Sequence, residues 1–120
     1  MIDMFSDEEP AAEHDFTGTW RIYEMELWDS DYYNMEVQAY IEIGSNNLGN
    51  FQFGLVSGYL DGYIEDEFGK DIFVFTWEGQ DEMDPVTGSG WLKLMDKNAA
   101  VGSINFHLGD RSRFRARRAR

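Results

Sequence analysis

The sequence predicts an all-β fold: a single-domain, eight-stranded antiparallel up-and-down barrel. Three observations carry that expectation. Aromatic residues make up 16% of the 120 residues and glycine contributes 12, against only two prolines, a composition that suits strands and turns more than helices. Eight segments alternate apolar and polar residues and are separated by links rich in Gly, Asn and Asp. All of those links are short, so neighbouring strands run antiparallel, and eight strands close into a barrel that is either filled or holds one small ligand.

The elements follow in order. Phe16, Gly18, Trp20 and Ile22 share one parity in the first strand, 16–27, and point to the core, whereas Met25 and Leu27 lie on the other parity. That switch predicts a bulge or bend near Glu24. Trp28 to Asn34 reads as a turn. The second strand, 35–43, places Met35, Val37, Ala39, Ile41 and Ile43 on one face. Gly44-Ser45-Asn46-Asn47 is a turn by composition, and Phe51, Phe53 and Leu55 pattern the third strand. In the fourth, 59–66, Leu60, Gly62 and Ile64 oppose Tyr59, Asp61, Tyr63 and Glu65, so the second set faces water or a polar lumen. The fifth, 72–78, is apolar on both faces. The sixth, 86–95, is Gly-rich before Trp91. The seventh, 99–108, points Gly102, Ile104, Phe106 and Leu108 inward, and Gly109-Asp110 signals a hairpin. In the eighth, 111–117, Ser112, Phe114 and Ala116 oppose four arginines.

The domain so defined covers 16–118. Residues 119–120 end the chain. Residues 1–15 form an acidic segment in which Ser6 and Glu9 have the spacing of a helix cap. This opening lacks a basic region followed by an apolar run, and no stretch reaches the roughly 20 apolar residues of a membrane helix. A cytoplasmic protein with no membrane partner is expected.

Charge is divided unevenly. Residues 1–110 hold all 23 acids against Arg21, Lys70, Lys93 and Lys97, a net −19, and residues 111–120 hold six arginines. A body this acidic repels nucleic acid and anionic lipid. The strict alternation of Arg111, Arg113, Arg115 and Arg117 describes an outward strand face beside an acidic body more than a nucleic-acid tail.

The stretch Phe16-Thr17-Gly18-Thr19-Trp20-Arg21-Ile22 resembles the first strand of the calycins, the barrels that include avidins, lipocalins and cytosolic fatty-acid-binding proteins. Chain length and strand count are most similar to avidins. The resemblance implies that Trp20 plugs one end beside Gly18, and that a late-strand arginine, Arg113 or Arg115, covers its indole. It also implies assembly through outer strand faces, which makes a homo-oligomer plausible. It carries fold and not ligand. The avidin positions for biotin's ureido group hold Ile22 and Glu24-Met25-Glu26 here, and the Arg-x-Tyr of fatty-acid-binding proteins is Arg113-Phe114-Arg115.

Candidate chemistry is sparse. There is no Cys, and His14 and His107 lie far apart. The carboxylate clusters at 61–67 and 81–84 lack the spacing of a calcium loop. No Gly-x-Ser-x-Gly elbow or phosphate loop occurs. No catalytic residue, metal or cofactor is assigned. The aromatics outnumber what one plug requires. Trp28, Tyr59, Tyr63, Trp77 and Trp91, with Asp61 as polar anchor, are the candidate lining of a mouth for a small apolar or aromatic ligand. The alternative is a protein-interaction or oligomeric module whose barrel is filled by its own side chains.

Overall fold

The structure, a computed structural model, describes residues 14–119. Strands β1 (Gly18–Met25), β2 (Tyr40–Ile43), β3 (Leu48–Phe53), β4 (Val56–Glu67), β5 (Lys70–Asp81), β6 (Asp84–Asp96), β7 (Ala99–Phe106) and β8 (Arg111–Arg118) form one closed antiparallel barrel in chain order, and one short helix, α1 (Ser30–Tyr33), joins β1 to β2. β8 returns to β1, so no strand edge is left open. The expected eight-stranded meander is the observed fold. β4, β5 and β6 run 12 to 13 residues, against four in β2 and six in β3, and the barrel is elongated, 55 × 31 × 26 Å. The capped turn expected at Ser6–Glu9 lies outside the described residues.

Alternation sets what fills the interior. Trp20, Ile22, Ile41, Ile43, Phe51, Phe53, Leu60, Phe73, Phe75, Trp77, Leu92, Ile104 and Phe114 are all buried. Inward positions that lack a large residue hold Gly58, Gly62, Gly90 or Gly102, and a ring of Phe51, Phe73, Phe75 or Phe114 lies across each, where a methyl would overlap it. Glycine alternating with aromatic is how a narrow barrel accommodates so many rings.

The β1–β8 register shifts between Ile22 and Glu24, the predicted bulge, and it turns Met25 inward. Three local expectations are corrected. The second strand does not begin at Met35. Asn34 caps α1, and its Oδ1 accepts the Ala39 N–H at 2.9 Å. That holds 35–38 in a turn and leaves Met35 and Val37 exposed. Asp29 starts the helix by accepting the Tyr32 N–H, so the apparent turn at 28–34 contains a helical one. Leu27 and Leu108 also point to solvent, and Leu108 sits at a hairpin tip with φ 60°.

Candidate interaction surface

The barrel interior is occupied by stacked rings. Phe51 meets Trp77 edge-on at 5.0 Å between centroids, Trp77 meets Phe106 at 5.2 Å, and Phe53 lies 6.1 Å from Phe51. At the α1 end Trp28 rests on Phe53 at 5.0 Å and on Phe106 at 6.4 Å, with Tyr32 beside it at 6.1 Å. The Trp77 indole N–H donates to the Ser89 carbonyl at 3.2 Å, which satisfies its polar end without a ligand. At the other end the Trp20 N–H donates to the Phe16 carbonyl at 3.0 Å, and the His14 ring covers Phe16 and Phe73.

The six candidate ligand residues therefore separate. Trp28 and Trp77 belong to the inner ring stack. Tyr59, Asp61 and Tyr63 stand on the outer face of β4, with Tyr59 76% and Tyr63 58% exposed. Trp91 lies half-buried on the outer face of β6, under the Lys93 ammonium at 5.1 Å, and that ammonium also pairs with Glu67 at 2.6 Å. These residues do not line one cavity.

Concavities open on the outside. A groove of about 710 Å³ crosses β2 to β6 between Tyr40, Gln52, Tyr59, Glu78 and Gln80. Its upper wall is fixed by a hydrogen-bond chain in which Tyr40 donates to Asn50 at 2.7 Å, and Asn50 and Thr19 both donate to Glu42 at 3.1 Å. Burial, with Glu42 and Tyr59 nearby, holds the Tyr40 phenol above its ordinary pKa and keeps it a donor. A smaller notch of about 390 Å³ lies among Trp91, Val101, Arg113, Arg115, Glu24 and Glu26.

The arginines of β8 divide by parity. Arg111, Arg113, Arg115 and Arg117 are exposed, while Ser112, Phe114 and Ala116 point inward. Arg113 pairs with Glu26 at 3.5 Å, Arg115 with Glu24 at 3.3 Å, and Arg117 lies over Tyr23 at 4.7 Å. Glu26 is held below the usual carboxylate range, first by the Arg113 backbone N–H and then by its guanidinium. The arginine over Trp20 is neither Arg113 nor Arg115. It is Arg118, 4.2 Å from the ring and directly opposite it in the β1–β8 register. Arg118 is the one arginine of β8 on the inward parity, and that spacing is the signal that would have identified it.

Among the described residues no group of three or more His, Cys, Asp or Glu is arranged to hold a metal, and no helix is long and apolar enough to cross a membrane. Comparison with protein-family models, curated proteins and solved structures finds no match to this chain.

Proposed function

We propose that this chain is a non-enzymatic interaction module: a calycin-like barrel that fills its own lumen and acts through its outer surface. The observation that carries this reading is the ring stack from Trp28 through Phe53, Phe51, Phe106 and Trp77. It occupies the space where a barrel of this size would hold a ligand. The Gly18-x-Trp20 opening with Arg118 over the indole supports the calycin comparison. The exposed tyrosines of β4 and the arginines of β8 supply the polar, aromatic and Arg-rich composition that protein interfaces favour.

A native mass spectrum of the purified protein beside its denatured mass tests this. The expected result is subunits, alone or assembled, with no added mass. A reproducible excess per chain would overturn the filled-barrel reading in favour of a small ligand seated at the Trp28 mouth.

A further inference from the structure

Resting on the interaction-module reading, we propose that the partner surface for β8 is β4 of a second copy of this chain. The copies associate face to back, Arg111, Arg113, Arg115 and Arg117 of one against Tyr59, Asp61, Tyr63 and Glu65 of the next.

Three features of the fold point there. The first is placement. In a closed barrel ordered β1 to β8, β4 and β8 are four strands apart in either direction and lie on opposite sides. One side is a row of exposed arginines. The other exposes Asp61 and Glu65 on β4 with Glu78 on β5, which pairs with Tyr59. A contact between unlike faces on opposite sides is heterologous, so it propagates into chains of copies and does not close as a twofold dimer.

The second feature is spacing. Both rows are outward positions of single strands, so both repeat every second residue, about 6.6 Å. Tyrosine alternates with carboxylate along one row, and arginine occupies every position of the other. A guanidinium forks onto carboxylates and stacks on phenol rings, so each arginine finds a partner at every step. The chain already makes both contacts within itself, Arg117 over Tyr23 and Arg113 and Arg115 with Glu26 and Glu24.

The third feature is availability. Among the described residues Arg111, Asp61 and Glu65 enter no ion pair. The Arg113 and Arg115 side chains stay 73% and 58% exposed within theirs. Such surface pairs are worth little and exchange readily for a partner's carboxylates. The net charge of −13 opposes association at long range, but at about 0.15 M salt that repulsion is screened over roughly 8 Å, while contacts on the stripe persist.

Sedimentation velocity over a range of concentrations tests the proposal. The samples are wild type, the basic-face variant Arg113→Glu/Arg115→Glu and the acid-face variant Asp61→Asn/Glu65→Gln. Near-UV circular dichroism of each variant confirms that the barrel is folded. The wild type should form concentration-dependent oligomers that dissociate in about 1 M NaCl. Each variant alone should associate roughly tenfold or more weakly. Mixed, the two should give a 1:1 complex and nothing larger, since each retains one competent face. A mixture that stays monomeric while the wild type assembles would overturn the face-to-back geometry. A wild type that is monomeric throughout, with no added mass in the native spectrum, would overturn self-association and leave the interaction-module reading standing. Binding of a single-stranded oligonucleotide by that monomer, lost in the basic-face variant, would assign the arginine row to nucleic acid instead.

Discussion

The guanidinium of Arg118 lies 4.2 Å above the ring of Trp20 and donates to the carbonyls of Thr17 at 2.8 Å, Asp15 at 2.7 Å and Lys97 at 2.9 Å. One side chain thus ties the last strand to the entry of the first and to the β6–β7 turn, where the barrel closes. Arg118→Ala should cost about 2–3 kcal/mol, from lost charge-assisted hydrogen bonds and the cation–π contact. Arg118→Lys should recover only part, because an ammonium cannot span three diverging carbonyls. Urea unfolding followed by tryptophan fluorescence reads both. Arg113→Ala and Arg115→Ala, which alter only exposed pairs, should leave the midpoint nearly unmoved.

Trp77 is the hub of the inner stack, touching Phe51 and Phe106 edge-on while donating to Ser89. Trp77→Ala should destabilise the barrel by about 3–5 kcal/mol, since the surrounding rings cannot collapse into the space. The void left is apolar, and a void of that kind takes up xenon or benzene. Uptake by the variant and none by the wild type is the expected pair of results. Equal uptake by both would mean that the wild-type lumen already has room.

The barrel was legible in the sequence because its interior follows strict alternation. Phe51 and Phe53, Phe73, Phe75 and Trp77, and Phe114 and Ala116 all face where period two puts them. The connection from 28 to 39 was not legible, because its geometry depends on side chains bonding to backbone. Asp29 and Asn34 cap a helix only four residues long, too short for periodicity to show, and Met35 and Val37 alternate as a strand would while lying in a turn. The six candidate ligand residues do not converge for a different reason. An antiparallel strand that alternates Leu60-Asp61-Gly62-Tyr63 reads the same whether its polar side faces a lumen or water, and only closure of the barrel decides. Closure placed Trp77 inside and Tyr59, Asp61, Tyr63 and Trp91 outside, and Trp28 covers the end of the ring stack from the β1–α1 connection.

Tyr33 makes stability fall at high pH. It is buried, and its hydroxyl donates to the Tyr23 carbonyl at 2.8 Å. Burial, with Glu24 and Asp29 nearby, holds its pKa above the ordinary 10.0. A phenol whose pKa is raised on folding stabilises the fold fully below its unfolded pKa and loses that contribution as pH rises toward the folded one. The stability gap between wild type and Tyr33→Phe should therefore be constant near neutrality and shrink above about pH 10. Urea midpoints across that range measure it. A gap that widens with pH would rule the account out.

Gly54 and Gly69 separate backbone strain from crowding. Both take left-handed angles, φ 58° and 84°. Gly69 has nothing within 4 Å of where a Cβ would stand, whereas at Gly54 that Cβ would overlap the Tyr32 ring. Gly69→Ala should thus cost only the left-handed penalty, about 1–2 kcal/mol. Gly54→Ala adds an overpacking cost and should lose about 2–4 kcal/mol. The crowding also has a direction. Tyr32 accepts the Leu55 N–H and supports Trp28 against Phe53, so displacing it loosens the cover at the α1 end. Acrylamide quenching should rise in Gly54→Ala through Trp28 and stay at the wild-type level in Gly69→Ala. If quenching rose equally in both, Tyr32 would not be what holds Trp28 in place.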